Sequence, residues 1–374
     1  MQKIRVAVYG LTTEGYGIAS KIVEKASVTI VDDTLQMAME LDPGTVKGNP
    51  TLQELVGGES LMGLKPVSQV LTEARIVFFA PKLRKTGDES IIEANAKLRE
   101  VAKNVTKGST VVNGLPVGVG GNNDYIALIE KQTGLKVGEN LNYGYCPLRP
   151  RAAAGTVACL AKVKDSASLE DLGMRTSYGD IIATELDYAS SVLNESTSIA
   201  TEVELMRKAK GLKPIAGRAG ERYIDDLAAH IYDLTAIQAS EDVGEPLTYL
   251  AGASIKSLEN HVRYIVDETR ELLRELQLKA SRTRVLVAWT VDRYEMRADR
   301  LKTAESLVER LRDYVTDVRQ AQVSAGRDEV IDSYKHNVAI VCSQQDLDWM
   351  KSLKTGSRSS EISILRATPA LQKG

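Results

Sequence analysis

The chain has 374 residues, of which 43% are apolar and 26% charged, with a formal net charge of −2. This is an ordinary globular composition, long enough for two or three domains. The charge balance excludes a nonspecific grip on nucleic acid, and no apolar run approaches the ~20 residues needed to span a bilayer.

The chain opens on an apolar run, Ile4–Tyr9, followed at once by Gly10-Leu11-Thr12-Thr13-Glu14-Gly15. Residues 18–23 read as a helix, and a second apolar run at 28–31 ends in Asp32-Asp33. Strand, glycine turn, helix, strand and acid is the layout of a dinucleotide-binding βαβ unit. Gly10 and Gly15 stand where the turn and the helix packing need them. Asp32 lies 22 residues after Gly10, a spacing suited to a carboxylate that holds a ribose hydroxyl. The middle glycine of the fingerprint is Thr12, which adds a side chain where backbone should meet pyrophosphate. Glu14 adds a negative charge where a phosphate would approach. The expected cofactor is NAD, held more weakly because of these two residues. Asp32 has a second reading as a turn residue that caps the next helix.

Further helices are expected at 35–41, 51–56, 67–71, 88–105 and 124–132. Strands are expected at 75–80, ended by Pro81, at 109–113 before Gly114, and at 140–146. The alternation predicts a Rossmann-like, doubly wound parallel sheet over residues 1–150. Gly118-Val-Gly120-Gly121-Asn122-Asn123 can form a phosphate nest, but it lacks the lysine and hydroxyl of a P-loop and reads first as a flexible turn. Residues 151–280 read as a helical middle domain. Within it, 181–209 carries no proline or internal glycine and suits one helix of ~25–30 residues, about 40 Å long. Residues 281–352 read as a smaller α/β domain with strands at 284–289, 315–318 and 337–342 around a helix at 303–314, and 353–374 as a flexible tail.

The three cysteines, Cys146, Cys159 and Cys342, match no metal spacing and suit a reducing compartment. With no signal-peptide pattern, the expected location is the cytoplasm. His230, His261 and His336 are scattered, and no metal site is expected.

The order of these parts resembles the nucleotide-sugar dehydrogenase family over about residues 3 to 345. Gly10 to Ala19 resembles the family's G-L-G-Y-V-G-x-x-x-A, and Ala74 to Pro81 resembles its strand ending in V-P. Tyr145-Cys146-Pro147-Leu148-Arg149 resembles S-P-E-R. Thr184-Glu185-Leu186 resembles the A-E-L that opens the central helix, with Glu204 on that helix's late glutamate. Ala288 to Arg297 resembles A-F-K-x-x-x-D-D-x-R. The resemblance implies an enzyme that oxidises a sugar alcohol to an acid with two NAD molecules. It also implies a homodimer through the long helix, Pro81 and Gly114 beneath the nicotinamide, and Arg297 reaching a neighbouring subunit's sugar substrate. Arg297 has a second reading, a surface salt bridge with Glu295 or Asp299.

The catalytic set itself is missing. The G-G-x-C loop that should carry a thiol nucleophile corresponds to 211–222, and no cysteine lies between Cys159 and Cys342. Tyr188 replaces the helix lysine that steadies an oxyanion, and Val192 replaces the asparagine one turn later. Leu148 replaces the glutamate of the water step, Gly114-Leu115 the serine-threonine turn, and Thr290 the third-domain lysine. No catalytic residue is assigned. The reading is a protein of this kind that binds a nucleotide or NAD without the oxidation. The alternatives are an oxidoreductase with altered chemistry, or a structural assembly protein. A homodimer is expected through Ile182, Leu186, Ala189, Leu193, Ile199, Val203 and Met206 on one helix face.

Overall fold

The runs at 4–9, 76–79 and 110–113 become the centre of an eight-stranded sheet, covered except at Ile4 and Arg5. The computed structural model describes residues 3–58, 65–149, 157–159, 167–209, 222–241, 244–322, 337–354 and 362–371. It divides into two compact units. One comprises Met1–Ser191, Thr235–Glu245 and Tyr294–Ala298. The other comprises Val192–Leu234, Pro246–Arg293 and Asp299–Gly374.

The first unit runs β1 (Ile4–Tyr9), α1 (Thr13–Ile22), β2 (Ala26–Asp32), β3 (Met37–Leu41), α2 (Pro43–Gly48), α3 (Leu52–Gly57), α4 (Val67–Glu73) and β4 (Ile76–Phe79). It continues with α5 (Asp88–Asn104), β5 (Thr110–Asn113), α6 (Gly121–Thr133), β6 (Asn142–Tyr145), β7 (Val157–Cys159), α7 (Ala167–Asp171) and β8 (Thr176–Tyr178). Helix α8 (Ile181–Lys208) follows. The strand order is β3-β2-β1-β4-β5-β6-β7-β8. The central run β2-β1-β4-β5-β6 is parallel, as a doubly wound sheet requires. β1 lies at the point where the winding reverses, and ligands of such sheets gather at the strand ends there.

The flanks depart from expectation. Residues 35–41, expected as a helix, contain β3, which pairs antiparallel with β2. Only 33–36 separate the two strands, whereas a parallel crossover needs a dozen residues or more. A hairpin is the only connection that fits, and Gln36 takes its left-handed position at φ 52°. The expected last strand, β6, is followed by an antiparallel β7 and by β8.

The second unit takes the later part of α8, then α9 (Ile224–Ala228), the first turn of α10 (Ile231–Ser240), whose remainder from Thr235 belongs to the first unit, α11 (Pro246–Glu275), β9 (Arg284–Ala288), α12 (Asp299–Arg312), β10 (Asp317–Ala321), β11 (Val338–Val341), α13 (Gln344–Lys354) and β12 (Ser363–Arg366). Its sheet is parallel throughout, in the order β10-β9-β11-β12. The stretch 353–374, expected as a flexible tail, supplies β12, with Leu365, Ala367 and Leu371 buried. Polar composition concealed a four-residue strand that pairs with β11.

Helix α8 buries Ile181, Glu185, Tyr188, Val192, Ser196, Ile199 and Val203, a regular step of three or four. The seven apolar positions expected to form one free face do not do so. Ala189, Leu193, Ile199 and Val203 are covered by their own chain, while Ile182 and Leu186 are 48% and 52% exposed. The step of six from Leu193 to Ile199 carries a 3.6-residue helix about 240° past a full turn, so Ile199, Val203 and Met206 lie on a different face from the other four. Within that first face the division runs along the helix, with Ile182 and Leu186 exposed near its start and Ala189 and Leu193 covered further on. Among the described residues, no helix is long and apolar enough to cross a membrane.

Candidate functional site

The seven residues singled out in the sequence gather at the carboxyl ends of the strands in the first unit. Gly10 leaves β1 at φ 124°, and a Cβ there would overlap the Ala80 carbonyl oxygen. Only glycine fits so close an approach. Gly15 packs against Gly10 and Thr12. Thr12 is buried and caps α1. Its hydroxyl accepts from Gly15 N at 3.0 Å and donates to Ala80 O at 3.1 Å. The side chain in place of the middle glycine thus ties the start of α1 to the end of β4. Pro81 follows, buried. Gly114 ends β5 with its N–H on Phe79 O and its carbonyl accepting from Leu148 N.

Asp32 serves the hairpin. Its Oδ1 accepts from Thr34 N at 2.8 Å and Leu35 N at 3.2 Å. Its neighbour Asp33 pairs with Lys97 on α5. The turn reading of Asp32 holds, with a strand rather than a helix after it.

Sequence reasoning singled out Arg297 for a neighbouring subunit's substrate but did not place Tyr294–Ala298 against the start of α1. The segment lies in this same unit. Thr13 N, one of the amides a helix start leaves for an anion, donates to Tyr294 O at 2.8 Å. Met296 N donates to Glu14 Oε2 at 3.0 Å, and Leu83 N donates to Met296 O at 2.7 Å. Lys82 Nζ lies 5.1 Å from the centre of the Tyr294 ring. Arg297 is 5% exposed and donates from Nη2 to Leu148 O at 2.7 Å and to Tyr188 Oη at 3.2 Å. Burial pushes the Glu14 carboxyl up to about 7; Arg297 and the backbone bonds pull it down, and Glu295 pushes it up. Glu14 is 2% exposed, and its Oε1 has no hydrogen-bond partner among the described residues.

A second helix start in this unit is also filled. Glu185, on α8, accepts from Gly120 N at 2.7 Å, and from Asn122 N and Nδ2 at 3.0 and 2.7 Å. Asn122 Oδ1 then accepts from Tyr143 Oη and Asn113 Nδ2. A Cβ at Gly118 would overlap Ser240 and the Ala236 carbonyl of α10. The glycine-rich loop therefore holds a carboxylate of its own chain in place of a phosphate.

In the second unit, Asp346, in the first turn of α13, ties that helix to the end of β9. It accepts from Thr290 N at 3.1 Å and Thr290 Oγ1 at 2.6 Å, and closes a cap with Ser343. Beside it Asp225 takes Trp289 Nε1 at 2.6 Å, with Arg300 Nε at 2.8 Å and Nη2 at 2.6 Å. The loop 211–222 that matches the family's cysteine loop lies outside the described residues except for Arg222. Among the described residues no cluster of His, Cys, Asp or Glu could hold a metal ion.

No protein-family model matches the sequence, and no curated protein matches it. Solved structures do match. A UDP-D-ManNAc dehydrogenase from Pyrococcus horikoshii superposes with a TM-score of 0.61 at 15% identity, over 99% of this chain and 100% of the other. A UDP-glucose dehydrogenase from Pyrobaculum islandicum gives 0.59 at 15% identity, over 98% and 94%. The native UDP-N-acetyl-mannosamine dehydrogenase Cap5O from Staphylococcus aureus gives 0.59 at 13%, over 98% of each. The chain has the nucleotide-sugar dehydrogenase fold. On that fold it keeps the glycine turn after β1 and covers the start of α1 with Tyr294–Ala298.

Proposed function

We propose that this chain is a pseudoenzyme on the nucleotide-sugar dehydrogenase fold, with a structural or regulatory role in place of sugar oxidation. The observation that carries the reading is the bond from Thr13 N to Tyr294 O. The amide that would meet a pyrophosphate is satisfied by the chain's own backbone. Asp32 supports it from the ribose side, since its Oδ1 closes the β2–β3 hairpin. Tyr188, Val192, Leu148 and Thr290 support it from the chemical side, because none of them can take or give a proton near neutral pH as the family's lysine and glutamate do. NAD binding, expected from the resemblance, is weak in this proposal, because a dinucleotide must first displace Tyr294–Ala298.

The test is an NADH absorbance assay with UDP-glucose, UDP-N-acetylmannosamine and GDP-mannose, paired with NAD calorimetry. The expected outcome is no turnover, and no saturation below about 1 mM NAD. Turnover near ~1 s⁻¹, the low end of ordinary enzymes, or a low-micromolar NAD dissociation constant would overturn the reading. The proposal keeps a homodimer, now through the exposed Ile182 and Leu186 of α8. Light scattering at micromolar concentration should show a dimer, and Leu186→Asp should shift it to monomer. A wild-type monomer removes the dimer from the proposal.

A further inference from the structure

We infer that the groove between α4 and the β1-β2-β3 edge of the first sheet binds a small zwitterion, of the size and charge of a free amino acid with a short side chain. The groove lies at the amino ends of β1 and β2, about 16 Å along the strands from Gly10 and Asp32. It uses none of the residues on which the pseudoenzyme reading rests.

The strands depart here from what the fold asks of them. Inner strands of a doubly wound sheet are covered on both faces and read as apolar. Arg5 pairs with Ser27, and Thr29 with Glu40, across neighbouring strands. Alternate residues of a strand share a face, so these four side chains form one polar patch. Ala7, Val31 and Ala38 continue the same face and are buried. The polar residues are therefore confined to one end of it, where Gln69, Val70 and Glu73 of α4 stand over them. The groove so formed has a volume of about 40 Å³, room for roughly three waters. On its floor the half-buried Ser27 and Thr29 hydroxyls have no hydrogen-bond partner among the described residues.

Two ion pairs flank that floor. Arg5 Nη1 lies 3.3 Å from Glu73 Oε2, and Gln69 Nε2 donates to Glu73 Oε1 at 2.9 Å. Lys65 Nζ lies 3.0 Å from Glu40 Oε2. All four charged side chains are about half exposed, so neither pair adds much to the stability of the fold. Their placement selects a class of ligand instead. A lone anion drawn to Arg5 and Lys65 is repelled by Glu40 and Glu73, and a lone cation by the reverse pair. An uncharged polyol meets the hydroxyls but gains nothing from the charges. A zwitterion sets its carboxylate against the cation of one pair and its ammonium against the carboxylate of the other, with the floor hydroxyls donating to its carboxylate. Val70 and Ala74, both buried, are the apolar part of the wall and suit a methyl-sized side chain.

The experiment is an NMR titration of the isotope-labelled full chain with L-alanine as the probe and acetate, ethylamine and glycerol as controls. L-alanine should give saturable amide shifts at residues 5, 27–29 and 69–73, with half-saturation at about 1–10 mM. Each control should need at least about tenfold more. Thr29→Val, which keeps the shape and the strand preference but removes a floor hydroxyl, should weaken L-alanine about threefold or more. Glu73→Gln removes an ammonium partner and leaves the groove with a net positive charge. It should weaken L-alanine about fivefold or more and strengthen acetate. No saturable shift at these residues by about 50 mM L-alanine overturns the site. Acetate or glycerol binding to wild type as well as L-alanine overturns the zwitterion, and so does L-alanine binding that both variants leave unchanged. None of these readouts involves turnover or a nucleotide, so the site can fail while the pseudoenzyme reading stands, and the reverse.

Discussion

Asp225→Ala should destabilise the second unit by about 3–5 kcal/mol, the usual cost of breaking a buried, hydrogen-bonded ion pair. Asp225 and Arg300 are both buried, and the carboxylate is shared by the guanidinium and the Trp289 indole N–H. Removing it strips two buried donors of one acceptor. The chain's only tryptophans, Trp289 and Trp349, both lie in this unit, so their fluorescence follows its urea unfolding without a signal from the other. The midpoint should fall with the slope m unchanged. Asp225→Asn, which keeps one acceptor oxygen, should cost less than Asp225→Ala. A loss under 1 kcal/mol for Asp225→Ala would show that this charge pair is not what anchors α9 to Trp289 and α12.

The ion pair also marks the limit of what the sequence reveals. Asp225 and Arg300 are 75 positions apart, and nothing local couples them. Glu14 and Met296 are 282 apart. The strands and most helices were legible because apolar periodicity is local, and β1, α1, β2, β4, α5, β5 and α6 lie close to their expected places. The misread elements have local reasons too. Residues 35–41 carry apolar spacing that suits either a helix or a strand, and only the short connection after β2 decides it. β12 is too short and its surroundings too polar to stand out.

The site was half legible. The glycine turn and the threonine in place of its middle glycine could be read from the sequence. What those residues do in this fold could not. Thr12 reads as a damaged fingerprint but acts as a helix cap tied to β4. Glu14 reads as a repelled phosphate but accepts a backbone N–H from the chain itself. Glu185 aligns with a family glutamate, while its bonds to Gly120 and Asn122 emerge only from the fold. A carboxylate that excludes an anion and a carboxylate that replaces one look the same in sequence. The difference is whether a donor from elsewhere in the chain arrives.

The second unit should be most stable near pH 6.5, with each flank set by one buried histidine. His230 sits with Nε2 3.3 Å from Glu195 Oε2 and Nδ1 3.9 Å from Asp233 Oδ2. Burial pulls its pKa down, but these two carboxylates outweigh burial and raise it from 6.5 to about 9. A histidine raised in the folded state contributes stability that is complete below 6.5 and lost as pH climbs through about 9. His261 is the reverse case. Burial lowers it to about 4 and leaves it neutral, outweighing the Ala367 carbonyl and Glu204, which pull it up. The unfolded chain takes up that proton near 6.5 and the folded unit does not, so stability is lost as pH falls from 6.5 towards 4. Each shift of about 2.5 units corresponds to roughly 3 kcal/mol at full effect. The His230 share should be nearer 1–2, because Glu195 is half-exposed and screened. Asp226 and Asp346, both raised by burial, oppose His261 on the acid side. The clean reading is therefore the difference from each variant. Urea unfolding followed by tryptophan fluorescence from pH 4.5 to 9 should give His230→Gln a flattened alkaline flank and an unchanged acid one. His261→Leu should give the opposite, and at pH 5 it should be more stable than wild type. Curves that run parallel to wild type across the whole range would mean that neither histidine changes its protonation on folding, and that the packing around both is looser than the burial of these rings implies.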